Sequence, residues 1–374
     1  MATDNTTAAP VNPTRRRLLA AMAGTLVVSQ TAGCQRLISS GDSPDIHVGA
    51  IRLADGRYGL QGVTGDGQTR WQQTVPARCH GGCRRPDSGH TVVFERRPGW
   101  RFYVLEERTG TVLHEVKAAP KEHFYGHGVF SQDGRRLYAT ANRFETGEGI
   151  VAIYDVPDGY RRVGSLSLNG IGPHEIRLHP DGRTLLVALG GIQTHPDYPR
   201  LKQNLASMSP ALVLLDRQTG QITGRYQPSN HQLSCRHLDV SPDGQVWVGY
   251  QYEGPDYQTP PLIGHLDGKD YQEISLPRAL QQRMANYTAS VAVSPITGHV
   301  AITAPRGGVT IVLDGVDGRV IREVDIPDCA GAKALRDGTF MITSGTGRVT
   351  FVSQAIDRPP TATHHELQWD NHLI

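Results

Sequence analysis

The sequence has no surplus of charge of either sign, and this excludes broad electrostatic binding of nucleic acid. Lys and Arg together number 38, and Asp and Glu together number 36. Three of these arginines and one of the aspartates precede Cys34, so 35 residues of each sign follow it. A nearly neutral chain lacks the basic surface that attracts nucleic acid or anionic membranes. We therefore expect neither of them as a partner.

The sequence also lacks a convincing membrane-spanning run. The apolar stretch from Leu18 to Val28 is short and rich in alanine. It follows the segment TRRRLL, residues 14–19, which resembles a twin-arginine export signal. Residues 1–33 are therefore predicted to be a signal that carries the folded protein to the bacterial periplasm.

A lipid on Cys34 is the one membrane tether that the sequence offers. The stretch TAGC resembles a lipoprotein processing site, but Thr31 stands where a leucine is usual. Acylation of Cys34 and its absence both stay open, and a single acyl chain would give a reversible anchor.

Cysteine is scarce, with five residues in all. The stretch CHGGC places His80 between Cys79 and Cys83, so the Cys-x-x-Cys-His order of covalent c-type haem attachment is missing. In an oxidising periplasm we expect a Cys79–Cys83 disulfide, with ligation of a metal by these two thiols as the weaker alternative. For Cys235 and Cys329, both pairing and metal ligation stay open.

Several catalytic motifs are missing as well. The sequence has no Walker loop, no Gly-x-Ser-x-Gly, no His-Glu-x-x-His and no dinucleotide fingerprint. No nucleotide cofactor is expected. The missing motifs favour a protein that is not an enzyme, although they do not decide the question.

Short turn phrases, by contrast, recur along the chain, and most of them end in Asp-Gly. They are SQDG at 131–134, HPDG at 179–182, SPDG at 241–244, SPITG at 294–298 and LRDG at 335–338, with a degenerate RPDSG at 85–89. Alternating or apolar stretches flank each phrase, which is typical of β-hairpins joined by tight turns. Units begin near residues 79, 127, 174, 237, 287 and 329. Four antiparallel strands in each unit predict the blades of a β-propeller.

The two ends of the chain are predicted to share one blade. Residues 46–76 supply three strand-like stretches, and the terminal WDNHLI can supply the fourth. This pairing closes the ring and removes exposed sheet edges. We therefore predict an all-β, seven-bladed propeller over 45–374 after a linker at 34–44. Eight blades and an open β-sandwich are the weaker alternatives.

Five separated phrases give the sequence a family resemblance. They are FYGHGVFSQDG, GIGPHEIRLHPDG, GGIQTHPD, LSCRHLDVSPDG and WDNHL. The chain resembles a bacterial family of twin-arginine-exported propellers, related to the YVTN-repeat and quinoprotein-dehydrogenase-like group, whose function is unknown. Such proteins are often encoded beside imelysin-type iron-uptake lipoproteins and di-haem peroxidase-like proteins. The resemblance implies a role in periplasmic iron handling with these as partners, and it brings no reaction.

Histidines recur at the start of five units. They are His80, His127, His174, His237 and His372. These points are expected to lie just before the innermost strand of each blade, near one mouth of the central channel. Neutral imidazoles gathered there suit iron, copper or zinc, and a haem is the other cofactor considered. We favour His127, His174 and His237 as ligands because they come from consecutive blades, with Glu175 and Asp239 as hydrogen-bond acceptors that orient the imidazoles.

Other roles for these histidines stay open at this stage. The histidines could instead form structural hydrogen bonds from the strand ends to backbone carbonyls around the ring, or they could transfer protons in catalysis. The inserted stretch at 190–210 is a candidate binding loop, in which His195 and Asp197 belong either to a lid or to solvated loop. The leading function is a non-enzymatic carrier of metal or haem in iron uptake. A metal-dependent lactonase-like or oxidoreductase enzyme and a purely structural platform are the alternatives.

Overall fold

Short alternating stretches and Asp-Gly turns fold into strands that form seven four-stranded antiparallel sheets. The computed structural model describes residues 45–374 apart from 87, 199, 200 and 356. The predicted signal, the linker as far as residue 44 and Cys34 lie outside the described residues. Among the described residues, no helix is long and apolar enough to cross a membrane.

Each sheet is one blade, and each blade is listed from its innermost to its outermost strand. Blade 1 contains β28 (Leu367–Leu373), β1 (Ile46–Leu53), β2 (Tyr58–Thr64) and β3 (Thr69–Val75). Blade 2 contains β4 (Cys79–Arg84), β5 (His90–Glu95), β6 (Arg101–Glu106) and β7 (Val112–Lys117). Blade 3 contains β8 (Glu122–Phe130), β9 (Arg136–Arg143), β10 (Glu148–Asp155) and β11 (Arg161–Ser167).

The remaining four blades follow the same order. Blade 4 contains β12 (Pro173–Leu178), β13 (Thr184–Leu189), β14 (Ala211–Asp216) and β15 (Ile222–Tyr226). Blade 5 contains β16 (Leu233–Val240), β17 (Val246–Tyr252), β18 (Ile263–Asp267) and β19 (Asp270–Glu273). Blade 6 contains β20 (Ser290–Val293), β21 (Val300–Ala304), β22 (Val309–Leu313) and β23 (Val320–Asp325). Blade 7 contains β24 (Cys329–Ala334), β25 (Phe340–Ser344), β26 (Arg348–Val352) and β27 (Thr361–His364).

The C-terminal strand closes the ring. Strand β28 pairs antiparallel with β1, and Trp369 lies opposite Ile51. Reciprocal hydrogen bonds then join Val48 and Ile374, with N to O distances of 3.2 and 2.9 Å. Innermost strands of successive blades contact one another around the whole circle. The predicted seven-bladed propeller and its closure by the C-terminal strand are confirmed, and the eight-bladed and sandwich alternatives are excluded.

In blades 3, 4, 5 and 7, an Asp-Gly turn connects the innermost strand to the second strand of the same blade. In blade 3 the amide of Gly134 donates to the carbonyl of Ser131 at 2.9 Å, and Gly134 has φ of 63°. The side chain of Asp133 accepts from the amide of Arg135 at 3.1 Å. Glycine adopts positive φ without steric cost, which explains why the last residue of the phrase is always Gly.

The apolar core lies between neighbouring blades. Phe94 and Phe102 of blade 2 pack against Phe124 of blade 3, with ring centroids 5.5 and 5.6 Å apart. Tyr154 of blade 3 completes this group at 5.2 Å from Phe102. Similar buried groups join the other blades, so the inner strands are held in fixed positions around the channel.

Within residues 45–374, the helical elements that the structure describes lie in connections between strands. Helix α1 (Arg278–Arg283) precedes blade 6, and two short 3-10 turns lie at Leu205–Ser207 and Pro305–Gly307. The first of these turns belongs to the insertion between β13 and β14 that the sequence predicted as a long loop.

Candidate metal centre

Five histidines from five blades meet at the centre of the ring. They stand on the innermost strands β4, β8, β12, β16 and β28, as His80, His127, His174, His237 and His372. The sequence placed them just before these strands, and this was wrong, because each lies inside its strand. Four of them are buried and His174 is half-buried. The cluster therefore sits within the channel and not on its rim.

A break in strand register accompanies every one of these histidines. Pairing with the neighbouring strand shifts between Cys79 and Gly82, Phe124 and Gly128, Pro173 and Ile176, Cys235 and His237, and, on β28, between Trp369 and Leu373. Such bulges bend the strand and re-aim a side chain. They explain how histidines with unequal spacing to their turn phrases still point at one centre.

Two glycines allow the rings to approach the neighbouring backbone. A β-carbon on Gly81 would lie 2.7 Å from Nδ1 of His127, and one on Gly126 would lie 2.8 Å from Cδ2 of His80. Gly126 also has φ of 103°, which a residue with a side chain rarely adopts. Both positions therefore require glycine.

The five rings contact one another directly. Centroids of His80 and His372 are 4.5 Å apart, those of His174 and His237 are 4.8 Å apart, and those of His127 and His237 are 6.0 Å apart. Ligand atoms in two subsets lie within 4.8 Å of one another. The subsets are His80, His127 and His372, and His127, His174 and His237. His127 belongs to both.

Several ring nitrogens have no hydrogen-bond partner in the described part of the protein. They are Nδ1 of His80, Nε2 of His127, Nδ1 of His174 and Nε2 of His372, and all are buried. A buried polar atom without a partner costs free energy, and native proteins rarely leave several together. The cluster thus holds four nitrogens that an added ligand would satisfy.

Glu175 fixes the orientation of His237 from the neighbouring blade. Its Oε2 lies 3.1 Å from Nδ1 of His237 and accepts from the amide of Leu238 at 3.2 Å. Its Oε1 forms an ion pair with Arg177 at 2.6 Å and lies 3.9 Å from Nδ1 of His127. The sequence predicted that Glu175 would orient an imidazole, and the one it contacts is across the blade boundary.

Asp239 does not orient a histidine. It accepts from Nε of Arg177 at 3.3 Å and from the amide of Val293 at 2.9 Å. The expectation that it would serve His237 is wrong, because Arg177 and the amide of Val293 occupy the carboxylate, while Glu175 of the neighbouring blade contacts Nδ1 of His237. Its role is to hold Arg177, the partner of Glu175.

Two further contacts position members of the cluster. Nδ1 of His372 lies 3.1 Å from the hydroxyl of Ser290, which donates to the carbonyl of Asn371. Asp370 lies 3.6 Å from Nδ1 of His80 and pairs with Arg78. Blade 6 therefore contributes Ser290 where five other blades contribute histidine.

Burial lowers the pKa of these histidines. The pKa values of His80, His127, His174 and His372 are shifted well below 6.5 by burial and by neighbouring cationic groups. Burial also lowers the pKa of His237, against the opposing effect of Glu175. Burial raises the pKa of Glu175, but Arg177 and the histidines outweigh it and bring the value to about 2. The cluster is therefore neutral imidazole beside a carboxylate.

Cavities lie on both sides of the cluster. The larger one, about 440 Å³, is called the upper cavity, and His80, His174, His237 and Asn371 form part of its lining. A crevice of about 20 Å³ on the other side is lined by His127, His372, Glu175, Arg177 and Ser290, among others. The imidazoles therefore lie between a ligand-sized space and a small crevice, and the crevice shares Gly82 and Arg177 with a further cavity of about 380 Å³.

The inserted loop at 190–210 contacts the upper cavity and its lining through Lys202 and Thr194, and not through His195 and Asp197, which the sequence indicated. Lys202 lines it, and the hydroxyl of Thr194 accepts a hydrogen bond from Nη1 of Arg97 at 2.6 Å. His195 instead packs against Phe144 and lies 3.5 Å from Asp197, away from the five-histidine cluster.

The four cysteines in the described part of the chain are free thiols. Cys79, Cys83, Cys235 and Cys329 form no disulfide in the described part of the chain, which contradicts the expected Cys79–Cys83 bond. Both residues lie on β4, and four residues of strand span about 13 Å, whereas a disulfide needs Cα atoms within about 7 Å. Cys329 is buried with its thiol 3.3 Å from the carbonyl of Val309, outside the histidine cluster.

A family model matches most of the chain. It covers residues 73–374 and is described as a protein of unknown function, DUF1513. The chain belongs to this family. No curated protein matches it.

The propeller of this family member is similar to a solved structure. A chain of the hydrazine synthase of Kuenenia stuttgartiensis matches with a TM-score of 0.63 and 15% identity, over 87% of this chain and 100% of its own length. At that identity the likeness shows the fold alone.

Sequence reasoning missed the charged lining of the upper cavity. Arg96, Arg97, Arg236 and Arg306 line it together with Tyr125 and Tyr287. Arg236 directly precedes His237 and lies in the same bulge. A basic residue next to a recurring histidine was therefore the sequence feature that could have predicted a cationic cavity lining. For Arg96, Arg97 and Arg306, which lie on connections between strands, we find no such signal.

Proposed function

We propose that this chain is a metal-binding propeller whose five central imidazoles hold one transition-metal ion at a time. The observation that carries the proposal is the convergence of five imidazoles, whose ligand atoms lie within 4.8 Å of one another in two subsets and which include four buried ring nitrogens without a hydrogen-bond partner. Neutral imidazole is a ligand for iron, copper, zinc and nickel. His127 belongs to both subsets of ligand atoms. In the second subset its partners are His174 and His237, and both of these also line the upper cavity.

The contacts favour metal binding over a purely structural role. Hydrogen bonds to protein groups account for His237, through Glu175, and for His372, through Ser290. His80, His127 and His174 have no comparable bond in the described structure. Interblade hydrogen bonding therefore explains two of the five imidazoles and leaves three unexplained.

The hydrogen bonds also select the tautomer that a metal needs. Glu175 is ionised, so Nδ1 of His237 carries the proton and donates, and the lone pair remains on Nε2. Metal-binding histidines commonly donate their other nitrogen to a carboxylate in this way.

The packing favours a bare ion over haem. Ring centroids lie 4.5 to 6.0 Å apart across the cluster, so the imidazoles are in contact. A planar macrocycle between them would require the inner strands to separate.

We assign this metal binding to iron handling in the periplasm. The TRRRLL segment resembles an export signal, and the family resemblance of the sequence implies that imelysin-type and di-haem peroxidase-like proteins are encoded nearby. In this proposal the propeller is an accessory that receives or passes on iron, with those proteins as partners, and a lipid on Cys34 would hold it at the membrane.

The test is the metal content of protein purified from its native periplasm. Stoichiometric metal is expected in the unaltered chain and is expected to be lost when His127, His174 and His237 are all changed to alanine. A control that changes His114, His231 and His364 to alanine removes three exposed histidines and should retain the metal. Metal in the cluster variant, or none in any protein, would contradict the proposal. Single His→Gln variants answer the same question if the triple variant does not fold.

The upper cavity favours one second candidate, a metal-dependent enzyme. Three of the five histidines line a space of about 440 Å³, where a substrate would contact the metal. Lactonase and oxidoreductase assays of the metal-loaded chain separate an enzyme, which turns over, from a carrier, which does not.

A further inference from the structure

Positive charge is concentrated around the upper cavity. Five cationic side chains line it, and Glu253 is the one carboxylate among its lining residues. The cations are Arg96, Arg97, Lys202, Arg236 and Arg306. Lys202 forms an ion pair with Glu253, and Nη2 of Arg236 lies 3.7 Å from the same carboxylate. Among the described residues, Arg96, Arg97 and Arg306 have no carboxylate within ion-pair distance.

Arg97 and Arg306 are held in place by contacts that do not neutralise them, whereas Arg236 shares the one carboxylate of Glu253 with Lys202. Arg97 lies over the ring of Tyr125 at 5.7 Å and donates to Thr194. Arg306 lies over the ring of Tyr287 at 4.4 Å. The side chain of Arg236 is 12% exposed, and its Nε is buried without a hydrogen-bond partner. A guanidinium in this state is an unfilled site for an oxyanion.

This charge distribution conflicts with binding a metal cation alone. The two carboxylates nearest the cluster, Glu175 and Asp370, are already paired with Arg177 and Arg78. Adding a dication to neutral imidazoles would place further positive charge in a site where buried charges interact strongly. An anion in the upper cavity removes this conflict, because it would contact both the metal and the arginines.

We propose that the upper cavity binds a small molecule with two or more carboxylates, which completes the coordination of the metal. This inference rests on the proposed metal function and adds that the metal is bound as a complex with a polycarboxylate. A cavity of about 440 Å³ suits a small organic ligand. One carboxylate binds the metal from the side of the cluster that faces the upper cavity, and the others bind the guanidinium groups.

Equilibrium dialysis with radiolabelled citrate, with and without equimolar Zn²⁺, tests the proposal on the full chain. Zinc is redox-inert and accepts imidazole ligands. Wild type should bind citrate and zinc in a 1:1 ratio, and zinc should raise its affinity for citrate at least about tenfold. Arg236→Gln should weaken citrate binding about tenfold, since a charge-assisted hydrogen bond is lost, while it keeps zinc in acetate buffer.

Controls separate this proposal from the metal function. Arg108→Gln changes an exposed arginine on the turn between β6 and β7, which is not among the residues that line the cavity, and should bind citrate and zinc like wild type. Melting temperatures of both variants check the fold. A citrate affinity that zinc does not change, phosphate competing as well as citrate, or unchanged citrate binding by Arg236→Gln would overturn the carboxylate site. Citrate bound in an Arg236-dependent manner by a chain that takes up no zinc would support the site and reject the metal function.

Discussion

Glu175 of blade 4 binds His237 of blade 5, with its Oε2 3.1 Å from the ring nitrogen Nδ1. The same carboxylate pairs with Arg177 and lies 3.9 Å from His127 of blade 3. One side chain thus links three consecutive blades at the channel, and the orientation of the imidazoles depends on the closed ring.

Glu175→Gln should weaken metal binding while all five histidines remain. The amide does not fix the tautomer of His237 and leaves Arg177 without its counter-charge, so we expect a loss of roughly 10-fold to 100-fold in affinity. Titration with Zn²⁺ measures it. Glu122→Gln is the matched control, because Glu122 is also buried and paired with an arginine, Arg162, but lies outside the cluster. Equal zinc affinity in wild type and Glu175→Gln would contradict this role.

The metal-free protein should lose stability as the pH falls below about 6.5. The five histidines stay neutral in the fold because burial lowers their pKa, whereas in the unfolded chain they take up protons near pH 6.5. The unfolded state then binds more protons, so acid favours it. The loss is about 1.4 kcal/mol per pH unit for each histidine that stays neutral.

Urea unfolding between pH 7.5 and 5.0 measures this slope. The variant with alanine at 127, 174 and 237 should show a shallower dependence, because three of the contributing groups are gone. Identical slopes for the variant and wild type would mean that the histidines do not carry the pH dependence.

Gly126→Ala should disturb the cluster through the backbone. The added methyl would meet His80, and φ of 103° is unfavourable for alanine, so we expect a cost of about 1–3 kcal/mol and weaker zinc binding. Gly159→Ala is the control: Gly159 also has positive φ, 61°, but a β-carbon there meets nothing within 4 Å. It should cost less and leave zinc affinity unchanged. Denaturant titration of both variants measures the loss of stability, and zinc titration measures the affinity. Equal stability and equal zinc affinity of the two variants would contradict the prediction.

Removing residues 367–374 should open the ring. Loss of β28 exposes the edge of β1 and removes His372, and an unpaired strand edge promotes association. Calorimetry and size-exclusion chromatography should show a lower melting temperature and aggregates. His372→Ala keeps the strand and should stay monodisperse. A truncated chain as stable as wild type would contradict ring closure as a source of stability.

The sequence predicted the blades because hairpin signals are local. Asp133-Gly134 and its repeats require a particular turn, and alternating apolar residues fix the strands on either side. The C-terminal closure followed from a missing strand in the first blade. The same local reasoning brought the five histidines to one channel, since equivalent positions of a repeat occupy equivalent places in the ring.

The details of the cluster could not be predicted because they depend on contacts between blades. The register shift at His237 and the contact between Glu175 and His237 arise only when adjacent blades pack. The Cys79–Cys83 disulfide was expected from closeness in sequence, but an extended strand holds the two residues apart. The arginines of the upper cavity come together from connections that share no repeat.

An anomalous difference map from crystals of the metal-loaded protein, collected at the absorption edge of the metal, tests the central claim most directly. The account predicts one strong peak in the channel within about 2.0–2.3 Å of at least three imidazole nitrogens of the cluster. A map with no peak among the five histidines, or with its strongest peak at surface residues such as His364, would contradict it.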